Sequence, residues 1–304
     1  MFVSALISRG ILQLSSADGL WRAEVTPVGS ALVSLWFGDV EVVTSPYGEP
    51  GFAAAGVVMA PWPNRLEDGR WSMGDREFTA PINDAEGHNA NHGLVLGKTF
   101  EVTKHETSRL ELCTNLFEAI AYPFDVTLNV HFALENTGLE ITISADNADA
   151  ESVPIAFGLH PYFVADPSSQ LQLNANTWIQ KNERNLPTES LPIEKSPVAK
   201  MGFNSVSEMH VDDCFTDLVA EEENFVTRLT RPEAGITVEL HQSEQLRFLM
   251  LYTLRENSKQ ERTLIAIEPQ TTAANAFKNL DQVKLLGPGN SFAATCKINL
   301  RKNS

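Results

Sequence analysis

The chain has 304 residues, with 23 basic and 39 acidic side chains and a formal net charge of −16. Apolar residues make up 43% and charged residues 20%, which excludes a wholly disordered, collagen-like or coiled-coil chain. The acidic excess argues against a nucleic-acid partner, because no surplus of basic side chains exists to displace phosphate counterions.

The cysteines and the apolar segments bear on the cellular compartment. Cys113, Cys214 and Cys296 are far apart and odd in number, which predicts neither a disulfide framework nor a cysteine-based zinc site. The N-terminus lacks the basic start and the sustained apolar stretch of a secretory signal. The apolar run Phe52–Pro61 is about ten residues, too short to span a bilayer. We therefore expect a soluble cytoplasmic protein without a membrane anchor.

The first half of the chain predicts β-strands. Ala23–Phe37 is typical of two strands around a Pro-Val-Gly turn, and Leu110–Leu112 alternates apolar with polar residues. The clearest alternation runs over Asp125–Leu134, where every second side chain is apolar. Glu135–Gly138 then predicts a turn with glycine at a position of positive φ, and Leu139–Ile143 alternates again. The last two runs predict an antiparallel hairpin.

The second half continues the strand pattern after one interruption. Lys181–Lys200 contains three prolines, which cannot donate ladder hydrogen bonds, and predicts a long surface loop. This loop is either a domain linker or part of one domain; similar strands on both sides favour a single domain over residues 1–304. Ile236–Leu240 alternates, whereas Leu246–Leu254 and Thr263–Ile267 are continuously apolar and predict strands buried on both faces. Together the elements predict an all-β fold, a large antiparallel sandwich or barrel with few short helices.

Two segments contain histidines in unusual surroundings. Glu86–Gly93 is rich in glycine and asparagine, almost lacks apolar residues, and holds His88 and His92. Ordering such a loop is costly, which favours a functional role. His160 precedes Pro161, which biases the histidine towards an extended backbone, and aromatic residues follow.

Four further polar residues are candidates, and each has a plainer alternative. Glu268 follows a buried apolar run and precedes Pro269, so desolvation at the tip of the strand would raise its pKa and suit a general base. The alternative is an acid that caps a strand end in solvent. Arg65, in a proline- and tryptophan-rich segment, is either a rigid binding arginine or a surface residue. Asp212 and Asp213 are either ligand-binding residues or an ordinary turn.

Several classes of site are disfavoured by the sequence. It has no G-x-S-x-G nucleophile motif and neither of the common glycine-rich phosphate motifs. His88 and His92, with a third histidine or Glu268, resemble a metal-ligand spacing, but a glycine-asparagine loop lacks the helical geometry that would pair them. We therefore expect no metal. A histidine and a carboxylate without a nucleophile suit proton transfer between the oxygens of a neutral polyol.

Several segments, taken together and in order, resemble the aldose 1-epimerase (galactose mutarotase) family. The segments that carry the resemblance are Pro61–Arg70 with its Asn-Arg pair, Asn89–Val95 with His-Gly, Gly158–Phe163 with His-Pro-Tyr-Phe, Asp212–Phe215, Ile267–Pro269 and Leu286–Gly289. The resemblance implies a galactose-mutarotase-like β-supersandwich. It also implies a cofactor-independent isomerase that interconverts the α and β anomers of a free aldohexose.

The resemblance also implies roles for individual residues. Glu268 would take the proton from the anomeric hydroxyl, and His160 would protonate the ring oxygen. His92 would hydrogen-bond near the ring oxygen. The residues implied to bind the sugar are Arg65 and Asp212, which would hold ring hydroxyls, with Asn64 shaping the loop.

Other functions stay open at this point. The same fold could act on a hexose 6-phosphate, which would need basic residues such as Arg65, Arg70 and Arg76. A non-catalytic sugar-binding protein would predict loss of His160 or Glu268, and both are present. A metal-dependent β-barrel enzyme is a further alternative.

A few positions leave the substrate open. Leu159 and Gln270 differ among family members and would line the sugar pocket. Asp213 competes with Asp212 for the binding role. Asp212 is preferred because it lies three residues before Phe215, as in the family.

Overall fold

The computed structural model of the protein describes residues 10–201, 205–255 and 263–303. Residues 1–9, on which the prediction of no secretory signal depends, lie outside the described residues. Within the described ranges, none of the helices is both long enough and apolar enough to cross a membrane.

Strands account for most of the described structure. In the first half of the chain they are β1 (Leu12–Ser15), β2 (Trp21–Thr26), β3 (Ala31–Phe37), β4 (Val40–Thr44), β5 (Val58–Met59), β6 (Arg65–Glu67), β7 (Arg70–Met73), β8 (Arg76–Thr79), β9 (Asn89–Asn91), β10 (Glu101–His105), β11 (Arg109–Asn115), β12 (Val126–Glu135) and β13 (Gly138–Asn147). In the second half they are β14 (Val153–Ile155), β15 (Gly158–Leu159), β16 (Tyr162–Ala165), β17 (Gln170–Leu173), β18 (Ala175–Lys181), β19 (Pro187–Pro192), β20 (Asp212–Leu218), β21 (Ala220–Glu221), β22 (Asn224–Arg231), β23 (Ile236–Gln242), β24 (Phe248–Arg255), β25 (Thr263–Gln270), β26 (Lys284–Leu286) and β27 (Ser291–Lys302).

Helical structure is short. The α-helix α1 spans Pro197–Met201. The 3₁₀ helices are Pro46–Gly48, Phe52–Ala54, Ile193–Lys195, Val206–Glu208 and Ala276–Lys278.

Two large antiparallel sheets form the body of the protein. The first has twelve strands, in the order β1-β2-β3-β4-β16-β25-β24-β20-β18-β19, with β15 paired to β25 and β5 paired to β15. The second has nine strands, in the order β10-β11-β12-β13-β27-β23-β22-β17, with β21 attached to β22. This arrangement confirms the predicted all-β antiparallel sandwich with few short helices.

The predicted hairpin is formed by β12 and β13, whose ten residues pair without a break from Val126 with Asn147 to Glu135 with Gly138. Gly138 has a φ of 143°, and a Cβ there would lie 2.1 Å from the carbonyl oxygen of Ile298. Glycine is therefore required by both backbone conformation and close approach.

The core lies between the two large sheets, and strand alternation decides which side chains enter it. On β25, Ile265 and Ile267 belong to the same buried cluster as Val130 and Ile143 of the second sheet. Neighbouring side chains on a strand point to opposite faces. Glu268 therefore points away from this core, onto the outer face of the first sheet, although every residue of β25 is buried.

The proline-rich segment Lys181–Lys200 differs from the predicted loop. It contains β19, which pairs with β18 at the edge of the first sheet, followed by a 3₁₀ helix and the start of α1. Pro187 and Pro192 are the end residues of an edge strand, where a missing N–H breaks few ladder hydrogen bonds. Pro197 begins α1, a position that proline tolerates because that N–H has no helical partner. The prediction of a loop over this whole segment was therefore wrong.

Candidate active site

Sheet register brings His160 and Glu268 together from distant parts of the sequence. One neighbour of β25 is broken into β15 and β16, with Gly158 opposite Gln270 and Tyr162 opposite Ala266. His160, in the gap, therefore lies opposite Glu268. Its Nε2 atom is 3.3 Å from Oε1 of Glu268, and the two side chains are 6% and 2% exposed.

Glu268 lies within its strand, so its predicted position at the strand tip was wrong. The strand continues through Pro269 to Gln270, because Phe248 of β24 pairs with Gln270 on the other side. Gln270 Nε2 donates a hydrogen bond of 3.1 Å to Glu268 Oε2. Burial raises the pKa of Glu268 well above 4.5, although this hydrogen bond lowers it in part.

His92 packs against His160. It follows β9, which pairs with β6, so the predicted loop contains a short strand, and its backbone N–H donates to the carbonyl of Asn64 at 2.9 Å. The two imidazole rings meet edge to face, with centroids 5.2 Å apart. Burial lowers the pKa of His92 well below 6.5 and that of His160 to about 4. Both free imidazoles are therefore neutral near pH 7.

Asn64 fixes the position of Arg65. Asn64 has a φ of 57°, and its Oδ1 accepts hydrogen bonds from the backbone N–H and from Nη1 of Arg65, at 2.9 and 3.2 Å. The Asp84 carboxylate lies 3.5 Å from Nε of the same arginine. The guanidinium is thus held from two sides.

Asp212 and Asp213 point in different directions at the start of β20. The Oδ2 atom of Asp212 lies 2.6 Å from Nζ of Lys181. Asp213 instead accepts a hydrogen bond of 2.9 Å from the indole N–H of Trp178. Neighbouring side chains on a strand point to opposite faces, which separates the two carboxylates. Asp212, the residue preferred from the sequence, lies on the same face of the sheet as Glu268.

A cavity of about 330 Å³ opens on the outer face of the first sheet. All six predicted site residues line it: Asn64, Arg65, His92, His160, Asp212 and Glu268. Among the described residues, buried polar atoms without a hydrogen-bond partner occur in three that line this cavity, namely Asn91 Oδ1, His92 Nδ1 and His160 Nδ1. Buried polar groups are rarely left unpaired, so this concentration indicates a polar ligand.

Sequence analysis did not assign several residues of this cavity. Tyr162 donates from its hydroxyl to the carbonyl of Ala53 at 3.1 Å, and its ring lies 5.0 Å from that of His160. The aromatic residues after His160 were the available signal for Tyr162. The other unassigned lining residues include Asn83, Asn91, Met250 and Tyr252.

Other candidates lie away from the cavity. Arg70 lines a separate depression beside Trp71, and Arg76 forms an ion pair with Glu151 at 2.6 Å. His88 is exposed and contacts Asp68 at 3.1 Å. In the described part of the chain, no group of three or more His, Cys, Asp or Glu side chains is placed to hold a metal ion.

Two other predicted pocket positions also lie outside it. Leu159 is buried in the core between the sheets. Gln270 does not line the cavity, but its side-chain amide donates a hydrogen bond to Glu268, which does.

Known proteins resemble this chain in sequence and in fold. YihR, an uncharacterized protein of Escherichia coli K12, is 27% identical over 282 residues, which is 91% of this chain and 89% of YihR. A galactose mutarotase-like protein of Clostridium acetobutylicum superposes with a TM-score of 0.80 at 21% identity, covering 93% of each chain. A GalM/aldose epimerase homologue of C. elegans superposes with a TM-score of 0.80 at 18% identity, covering 97% of this chain and 99% of the other.

The structural likeness concerns the fold, because both identities are low. Family membership comes from the sequence itself: the sequence model described as "Aldose 1-epimerase" matches residues 12–299. That range contains the whole first sheet, all but the last three residues of the second, and every residue of the cavity. The chain therefore belongs to the aldose 1-epimerase family.

Proposed function

We propose that this protein is a cofactor-independent aldose 1-epimerase that interconverts the α and β anomers of a free aldohexose. The observation that carries the proposal is the buried contact of 3.3 Å between His160 Nε2 and Glu268 Oε1 on the floor of a polar cavity. An acid and a base at this separation are close enough to reach two neighbouring oxygens of one sugar ring.

In the proposed reaction the sugar loses one proton to the protein and gains one proton from it. Glu268 takes the proton of the anomeric hydroxyl while His160 gives a proton to the ring oxygen, so the C1–O5 bond breaks and an aldehyde forms. Rotation about C1–C2 and closure on the other face reverse both transfers. No atoms other than protons are exchanged.

The protonation of the pair suits this exchange. The pKa of His160, lowered by burial to about 4, lies below the pKa of Glu268, which burial raises, so between these two pKa values the pair holds a single proton. In the reactive form we assign that proton to His160, leaving Glu268 ionised. Sugar hydroxyls that donate hydrogen bonds to the carboxylate favour this form.

The remaining residues would hold the ring. Arg65 offers donors, and Asp212 offers acceptors, to ring hydroxyls, while Asn64 keeps Arg65 in place through two hydrogen bonds. His92, packed against His160, would donate near the ring oxygen.

The charges around the cavity favour an uncharged sugar over a phosphorylated one. Of the three arginines considered for a phosphate, Arg65 alone lines the cavity, and Lys181 nearby is paired with Asp212 at 2.6 Å. The three cysteines are unpaired, which supports a reducing, cytoplasmic location as part of the same proposal.

The test of the function is polarimetry of freshly dissolved α-glucose and α-galactose with purified protein and no added metal. We expect optical rotation to reach equilibrium faster than in buffer alone, in proportion to protein concentration. An unchanged relaxation rate with both sugars would contradict the proposal for a free aldohexose.

Gln270 is expected to set the pH range of the reaction. Its hydrogen bond favours the ionised form of Glu268 and so lowers the pKa of that carboxyl. In Gln270→Leu the pKa of Glu268 rises further, so the His160–Glu268 pair keeps its single proton to higher pH. The alkaline limb of the kcat/KM profile, on which that proton is lost, therefore moves to higher pH. The lost orientation should lower kcat about fivefold, the equivalent of about 1 kcal/mol.

The pH profile separates this role from a merely structural one. A general loss of packing would lower the rate at every pH and leave the alkaline limb in place. That outcome, measured on variant protein with an unchanged circular dichroism spectrum, would remove Gln270 from the account.

A further inference from the structure

A second and larger cavity, of about 650 Å³, lies over β18, β19 and β20, next to the proposed catalytic cavity. Its other wall is the segment 273–282, which contains the 3₁₀ helix Ala276–Lys278. The proposed reaction at Glu268 does not use this cavity.

Sheet register connects the two cavities by one continuous row of side chains. Glu268 pairs with Met250, Met250 with Cys214, Cys214 with Ile179, and Ile179 with Ser190, across five adjacent strands. Directly paired residues in an antiparallel sheet share a face. The row runs from the floor of the first cavity to the floor of the second.

The length of this row exceeds one sugar ring. Four strand spacings of about 4.8 Å separate Glu268 from Ser190, which gives about 19 Å. A single pyranose ring held between Glu268 and Asp212 covers the half of the row nearest β25. The half of the row over β18 and β19 remains available to a substituent of that ring.

A depression of about 20 Å³ lies between the two cavities along the row. This depression is lined by Arg65 and Met250, which also line the first cavity. It is lined as well by Ile179 and Pro187, which also line the second. The two cavities therefore adjoin this depression on either side. We name the three together the groove, and its far part, the cavity of about 650 Å³, the distal cavity.

The chemistry of the distal cavity matches a neutral carbohydrate. Its floor is apolar, because Ile179 and Phe248 line it and belong to one buried cluster with Cys214 and Met250. Its rim carries charges of both signs, on Asp217, Arg247 and Asp281. It also carries hydroxyl and amide side chains, namely Thr177, Ser190, Thr216, Asn275, Asn279 and Gln282. A pyranose ring has the same division, with C–H groups on its faces and hydroxyls around its edge.

We propose that the distal cavity is a second sugar subsite, which binds the non-reducing unit of a disaccharide whose reducing unit occupies the catalytic cavity. This proposal rests on the proposed function, since it assigns the reducing end to Glu268 and His160. It assigns the protein a preference for a saccharide longer than one ring.

The test fills the distal cavity without touching the catalytic one. Ser190 is an exposed residue of the edge strand β19, so Ser190→Trp places an indole in the groove far from Glu268. Glu189→Trp is the matched control, because the neighbouring side chain on the same strand points to the opposite face. The substrates are glucose and three disaccharides with a reducing glucose unit: maltose, cellobiose and lactose.

For the wild type we expect kcat/KM for at least one disaccharide to equal or exceed that for glucose. Ser190→Trp should raise KM for that disaccharide about tenfold or more while leaving glucose within about twofold, and Glu189→Trp should change neither. Disaccharides that are all much poorer substrates than glucose, or a Ser190→Trp variant that treats them as the wild type does, would overturn the subsite.

Binding measurements keep this test apart from the test of function. Calorimetric titration of Glu268→Gln protein with glucose and with the three disaccharides does not depend on turnover. Tighter binding of a disaccharide, lost in the Ser190→Trp background, supports the subsite even if no sugar is turned over. Equal or weaker binding of every disaccharide counts against the subsite even if glucose is turned over rapidly.

Discussion

Glu268→Gln is expected to lower kcat for mutarotation by about 10²–10⁴-fold, the range typical of a lost general base. The amide keeps the size of the carboxyl but cannot accept the anomeric proton. The substituted side chain still reaches Gln270, whose amide N–H donates to it in the wild type at 3.1 Å. Polarimetric rates with variant and wild-type protein measure the effect.

The control for this variant is folding and binding. Burial raises the pKa of Glu268, so the folded protein disfavours its charge. A neutral amide removes that cost, and the free energy of unfolding at neutral pH is expected not to fall. Glu189→Gln, which removes an exposed carboxylate on β19, should leave the rate unchanged. A Glu268→Gln enzyme with a near-wild-type rate would show that the base is another group.

His160→Ala is expected to cause a loss of similar size, about 10²–10⁴-fold in kcat, because the proposed proton donor to the ring oxygen is removed. The backbone at this position should survive the change. The N–H of His160 donates to the carbonyl of Val57 at 3.1 Å, and its carbonyl accepts from the N–H of Gly56 at 2.8 Å. Neither bond involves the imidazole.

Added imidazole distinguishes proton transfer from structural support. The truncated side chain borders the catalytic cavity, so free imidazole can occupy the vacated space and restore part of the rate. His88→Ala, which removes an exposed histidine, is the matched control and should retain full activity. A His160→Ala variant that turns over normally, or one that imidazole cannot rescue although it binds sugar, would contradict the assigned role.

Local patterns in the sequence predicted the strands that build the first half of the core. The alternation from Asp125 to Leu134, followed by a glycine turn, was sufficient to predict the β12–β13 hairpin. The same rules failed for β19 and for the end of β25. Proline disfavours a strand locally, but an edge position and pairing with a neighbouring strand outweigh that preference.

The candidate site was predictable as a set of residues but not as an arrangement. His160 and Glu268 were singled out by their apolar and proline-rich flanks, yet their contact depends on a register between segments that are far apart in the chain. Asp212 and Asp213 are adjacent, and the phase of β20 decides which of them faces the cavity. No local pattern predicted that Lys181 pairs with Asp212. Lys181 is the last residue of β18, where the proline-rich segment begins.

The contact of Gln270 with Glu268 and the position of the distal cavity both depend on tertiary structure. Gln270 was predicted to line the sugar pocket, but the continuation of β25 instead places its amide against the carboxylate of Glu268. The row from Glu268 to Ser190 consists of one residue from each of five strands. No local pattern in the chain records their order in the sheet.

The measurement that tests the central claim most directly is exchange between the anomeric protons of glucose and of galactose at equilibrium, followed by NMR in D₂O. The proposed proton transfers involve oxygen atoms alone. Catalytic amounts of protein should therefore transfer magnetisation between the α and β H1 signals, while the proton on C2 is retained. Absence of exchange for both sugars, or deuterium incorporation at C2, would contradict ring opening by the Glu268–His160 pair.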